Sequence, residues 1–168
     1  MNRFASSQKK VTPEKAASAD AAMDYIALLL ARREYSEYEV RSRLNDRGYT
    51  ARTVAQAITR AVGCGLIDDQ RFAQRFIKSK ISAGIGKYRI EQELRLKGIN
   101  AEGVEGYPEA FYSEVDELEN ALSVLSRFHT RSKNQYQAAF RHLVGKGYSS
   151  SLAQAALRAH SEQSADSY

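Results

Sequence analysis

One short phrase occurs three times along this chain of 168 residues: Leu44-Asn-Asp-Arg47-Gly48-Tyr49-Thr50, Leu94-Arg-Leu-Lys97-Gly98-Ile99-Asn100 and Leu143-Val-Gly-Lys146-Gly147-Tyr148-Ser149. Its glycines stand 50 and 49 residues apart. Each phrase reads as one helix ending and another beginning. The leucine closes an apolar stripe, the cation sits beside the negative helix end, and glycine permits the left-handed turn. An apolar residue then anchors the junction, and Thr, Asn or Ser caps the next helix. Repetition at this period predicts an all-α chain of three tandem three-helix repeats in an elongated, curved array. The expected division is a flexible tail over 1–20, repeats over 21–68, 69–112 and 113–160, and a flexible tail over 161–168.

Composition supports helix. There are only two prolines, Pro13 and Pro108, and β-branched alternation is absent. Lack of tryptophan and a mean hydropathy of −0.52 point to several small cores rather than one large one. The single cysteine, Cys64, has no internal mate, which fits a reducing cytoplasm and a packing role. The longest apolar run, Tyr25–Ala31, is too short to cross a bilayer, so no membrane partner is expected. Residues 2–22 lack the hydrophobic stretch of a secretory signal.

The spacing predicts a first helix from about Ala19 to Arg33, turning Ile26, Leu29 and Leu30 inward. Ser36 and Glu39 form a capping box ahead of Val40 and Leu44. After Thr50, Val54, Ile58 and Val62 make the next stripe. Asp68 or Asp69 caps a helix whose Phe72, Ala73, Phe76 and Ile77 face inward. Ile90 and Leu94 then stand at the offsets of Val40 and Leu44. Gly103, Gly106 and Pro108 predict that the third helix of this repeat is broken, since proline costs about 3 kcal/mol inside a helix. In the last repeat the stripes are Leu118, Leu122 and Leu125, then Tyr136, Phe140 and Leu143, then Leu152, Ala156 and Leu157.

Charge is distributed unevenly. Residues 70–100 carry eight cations against two anions, whereas 101–120 carry seven anions and no cation. Arg71, Arg75 and Lys78 fall on one helical face, with Lys80, Lys87, Arg89, Arg95 and Lys97 following. Lys87–Glu91, Arg89–Glu93 and Glu91–Arg95 have the spacing of intrahelical pairs, but the Arg71 stripe has no carboxylate within a turn after Asp69. This cluster is the expected contact for a polyanion or an acidic protein, joined by Arg41, Arg47, Arg141 and Lys146 from the other repeats. The Gly84-Ile-Gly86-Lys87 loop lacks the Walker spacing. His129, His142 and His160 lack metal-ligand spacing, and no nucleophile, base or metal set converges. No catalytic residue, metal or cofactor is expected.

Three motifs occur in order: Ser36-x-x-Glu39-Val-Arg-x-x-Leu44-x-x-Arg47-Gly48-Tyr49, Gly65-Leu-Ile-Asp68-Asp69-x-Arg71-Phe72-Ala73 and Gly86-x-x-Arg89-Ile90-x-x-Glu93-Leu94-x-x-Lys97-Gly98-Ile99. Over about residues 22–158 the chain resembles the bacterial RecX family. The resemblance implies a non-enzymatic modulator that binds in the groove of the RecA–DNA filament; a monomer is expected. It would limit RecA's ATP hydrolysis, strand exchange and co-protease action in recombination, DNA repair and the SOS response. It would also bind single- and double-stranded DNA weakly and without sequence preference. The alternative is a helix-turn-helix transcriptional regulator. The post-glycine helices offer base-reading Arg52, Thr53 and Gln56 in one repeat but Gly103 and Pro108 in the next.

Overall fold

The computed structural model describes residues 10–112 and 117–165, and among them every regular element is a helix. These are α1 (Pro13–Ala16), α2 (Ala19–Leu30), α3 (Glu37–Arg47), α4 (Ala51–Gly63), α5 (Asp69–Ser82) and α6 (Lys87–Arg95). A 3-10 turn (Ala101–Gly103) follows, then α7 (Glu109–Tyr112), α8 (Glu117–Ser126), α9 (Gln135–Gly145) and α10 (Ser150–Ala165). The all-α class is as the sequence predicts. By contact density the chain divides between Phe72 and Ala73 into two compact units.

In the first unit α2 and α3 both pack on α4. Ile26, Val40, Leu44, Val54 and Ala57 are buried together. Burying side chains of the Val, Leu and Ile size stabilises by about 1.5–3 kcal/mol each, and these carry the unit. The Ser36–Glu39 capping box forms in both directions, each bond 3.2 Å long. Thr50 caps α4 through the Thr53 N–H. Val62 does not complete the α4 stripe. It is exposed, and Ala61 occupies the core instead because it lies one helical step closer to the inward face. Cys64 is likewise exposed rather than packed.

Residues 10–20, expected in a flexible tail, are ordered. The Val11 N–H donates to the Arg47 carbonyl at 3.1 Å, and the Thr50 N–H donates to Ala16 at 3.0 Å. Residues 1–9 of that tail lie outside the described residues.

In the second unit α8 and α9 both pack on α10. Ala121, Leu125, Leu143, Ala153, Ala156 and Leu157 form the core there. The region after Gly98 is broken as predicted: a single 3-10 turn and one short helix replace a regular third helix. Tyr136 departs from its expected stripe. It is exposed, and Ala139 takes the inward position. The C-terminal helix also runs to Ala165, past the predicted end at His160, while 166–168 lie outside the described residues. The expected start of the third repeat, 113–116, does too.

Candidate functional site

Helix α5 carries the basic face. Asp68 caps it, its carboxylate accepting the Arg71 N–H at 2.9 Å. Its neighbour Asp69 does something the sequence did not suggest: Oδ1 accepts the Glu37 N–H at 2.8 Å, so one carboxylate serves the start of α3. Burial raises the Asp69 carboxyl above its ordinary value, aided by repulsion from Glu37 and Asp68 and opposed by that hydrogen bond. Phe72, Ala73 and Ile77 are buried, which leaves Arg71, Arg75 and Lys78 exposed on the opposite side.

That stripe is less free than its sequence implies. Arg71 lies 3.7 Å from Asp68 and 3.9 Å from Glu34, and donates to the Gly65 carbonyl at 3.2 Å. Glu34 is far away in sequence, so inspecting one turn could not reveal it. Several other cations are also engaged. Arg41 pairs with Glu37 at 2.7 Å, and Arg47 stacks over the Tyr25 ring at 5.0 Å. Lys80 and Arg89 both pair with Glu93. Burial alone would raise the Glu93 carboxyl, but hydrogen bonds from these two cations hold it below its ordinary value. Lys87 lies over the Tyr107 and Tyr112 rings, and Lys97 over Phe76. Of the predicted intrahelical pairs only Arg89–Glu93 forms an ion pair; Glu91 accepts the Tyr107 hydroxyl instead at 2.9 Å. Lys78, Arg95, Arg141 and Lys146 make no ion pair among the described residues.

The start of α6 is built against the end of α9. Gly86 has no capping side chain, and its N–H donates to the Lys146 carbonyl at 2.9 Å. The Tyr88 N–H donates to Gly147 at 3.1 Å, and the Arg89 guanidinium to Gly145 at 3.2 Å. The backbones touch. A Cβ on Gly86 would fall 2.4 Å from the Gly147 carbonyl carbon. Beside this junction, Arg89 and Arg95 share a groove with Tyr88, Leu96 and Val144. Leu96 is 75% exposed.

A surface feature passed unnoticed in the sequence. The second residue of each repeat's middle helix is a tyrosine: Tyr38, Tyr88 and Tyr136, exposed by 57%, 62% and 54%. Counting forward from each helix start, rather than back from each glycine, would have aligned them.

The first three-helix domain of RecX matches residues 22–60, and the second matches residues 68–105. The regulatory protein RecX of Haemophilus influenzae strain PittEE is 34% identical over 107 residues, covering 63% of this chain and 69% of that one. The chain belongs to the RecX family. RecX of Mannheimia succiniciproducens is 32% identical over 135 residues, 76% of this chain and 86% of the relative. The crystal structure of RecX from Lactobacillus salivarius superposes with a TM-score of 0.70 at 16% identity, over 85% of this chain and 96% of that one. A second RecX crystal structure also gives 0.70, at 22% identity, over 84% and 72%. At such identities these two structures speak for the fold. The matched RecX domains contain α5 and α6, hence most of the basic cluster, whereas α9 lies beyond both.

Proposed function

We propose that this protein binds the RecA–DNA filament and lowers RecA's ATP hydrolysis, strand exchange and co-protease action. It does so in the cytoplasm as a monomer, by occupancy rather than by a chemical step. The observation carrying this reading is the ordered match to both RecX domains, with the exposed face of α5 inside the second. The working repeats are 21–68, 69–112 and 113–160. Among the predicted cations, Arg75, Lys78 and Arg95 are the principal contacts to acidic side chains or phosphates, with Arg141 and Lys146 adding weak, sequence-independent DNA contact. Repeated weak contacts along a periodic filament gain avidity, which suits a repeat protein.

The test adds purified protein to RecA filaments preformed on single-stranded DNA. The rate of ATP hydrolysis should fall, and Arg75→Glu/Lys78→Glu should weaken filament binding about tenfold at low salt, less as screening rises. An undiminished hydrolysis rate with proven filament binding rejects inhibition. Full binding by the folded double variant rejects the α5 face.

A further inference from the structure

A cavity of about 490 Å³ lies within the second unit, between the end of α5, the end of α8 with its following loop, and the last turn of α9. Arg127, His129, His142 and Lys146 converge on it, with Asn120 and Ser123 alongside. Among the described residues no carboxylate lines it, and neither Arg127 nor Lys146 has an ion-pair partner. Its size is that of a small-ligand site. His142 is fixed by stacking on Phe128, ring centroids 4.4 Å apart and planes 23° from parallel.

Cations near a helix C-terminus ordinarily offset its negative end. Here that need is already met. The carbonyls of Gly145, Lys146 and Gly147 accept from Arg89, Gly86 and Tyr88. Those of His142, Leu143 and Val144 accept from the N–H groups of Lys146, Tyr148 and Gly147. The end of α9 therefore presents the Lys146 ammonium while its carbonyls are occupied, which removes the usual obstacle to an anion there.

We propose that this cavity is a phosphate-binding site, taking a phosphoryl group from a nucleic-acid backbone or a free nucleotide. Arg127 and Lys146 supply the charge, and the Asn120 amide, which has no hydrogen-bond partner among the described residues, supplies a further donor. Burial, and then the Lys146 charge, lower the His142 imidazole from its ordinary value. A bound phosphate anion, the single charge of a backbone phosphodiester included, opposes both effects, so His142 takes up a proton more readily on binding. The facing titratable and charged groups are Arg127 and His129 from the α8 side and Lys146 at the end of α9, while the end of α5 contributes none. The site shares Lys146 with the DNA contact proposed above, but it is independent of RecA regulation, because it needs no partner protein.

The experiment titrates the full chain, without RecA, with inorganic phosphate, ATP or an oligothymidylate, following backbone amides and the His142 ring by NMR. Chloride at matched ionic strength is the control. Amide shifts should cluster at His129, His142 and Lys146, and the His142 pKa should rise at saturation. Arg127→Gln/Lys146→Gln should lose about tenfold in affinity while melting as the parent does. If the oligonucleotide is the tight ligand, its log–log salt slope should fall by about 1.4 for two lost phosphate contacts. Tight binding of ATP with none of the oligonucleotide assigns the site to free nucleotides. Shifts absent from the cavity for all three probes, or undiminished binding by the double variant, overturn the proposal.

Discussion

The ends of α3 and α9 carry the same phrase but support different structures. In both, the carbonyl before the glycine accepts an N–H from elsewhere: Val11 to Arg47, and Gly86 to Lys146. Around Gly48 the approach is loose, the nearest atoms being Lys10 side-chain carbons 3.9 Å from where a Cβ would sit. Around Gly147 it is closed, with the Arg89 backbone nitrogen only 2.6 Å from that point. Both glycines have positive φ, 93° and 96°. A repeated sequence thus sets a repeated backbone turn, while the partner that docks on it determines what the turn costs to alter.

The largest expected contrast is between these glycines. Gly48→Ala should lose about 1–2 kcal/mol, the cost of a left-handed conformation for a residue with a Cβ. Gly147→Ala adds a backbone clash that no side-chain rotation relieves, and should lose about 4 kcal/mol or more, melting the second unit first. Denaturant titration with one probe in each unit measures both. Equal losses would dissolve the comparison.

Arg47 and Lys146 precede those glycines and should separate by role. Arg47 lies over Tyr25 with its Nε buried, so Arg47→Gln should lose about 1–2 kcal/mol of stability. Lys146→Gln should shift stability by no more than about 0.5 kcal/mol. Thermal melts decide this; a large loss at Lys146 would make it a structural cation like Arg47.

Smaller effects are expected at the tyrosines that follow. Tyr49 donates to the Ala21 carbonyl at 2.9 Å, whereas the buried Tyr148 hydroxyl has no partner among the described residues. Burial pushes both phenols up, Tyr148 to about 12. Tyr49→Phe should lose about 1 kcal/mol, and Tyr148→Phe should be neutral or stabilising. Equal losses in chemical denaturation would show that Tyr148 is also bonded.

The smallest contrast lies in the acid limb of stability. The Asp69 carboxyl is raised, so its protonation favours the folded first unit as pH falls through that raised value. The Glu93 carboxyl is lowered, so its contribution to the second unit is full above the unfolded value of about 4.3 and is lost as pH falls through the folded one. Asp69→Asn should therefore be mildly stabilising near pH 7. Glu93→Gln should destabilise there, with its deficit vanishing in acid. Unit-resolved melts between neutral pH and pH 3 would reveal both signs, and parallel pH profiles for the two variants would contradict them.

Much of the fold could be read from local chemistry. The Ser36–Glu39 box, the Thr50 cap and the break after Gly98 each depend on residues within a turn of one another. The candidate site was legible only in outline. The basic face of α5 followed from helical spacing, but Glu34 beside Arg71 and the aromatic rings beneath Lys87 and Lys97 are tertiary neighbours. Val62 and Tyr136 differ from expectation because each lies at the edge of its stripe, where the centre of the buried face, marked by Ala61 and Ala139, falls a helical step away.

By itself, the sequence determined that the chain is helical, that a unit recurs, and where each middle helix stops. Those properties are set by dihedral preference, capping and periodicity, all of short range. Tertiary structure alone decided which cations are engaged, that Asp69 serves α3, and that α9's carbonyls are covered by α6. It also decided that Arg127, His129, His142 and Lys146 share one cavity. Charge and hydrogen bonding act through space, over distances that the order of residues does not encode.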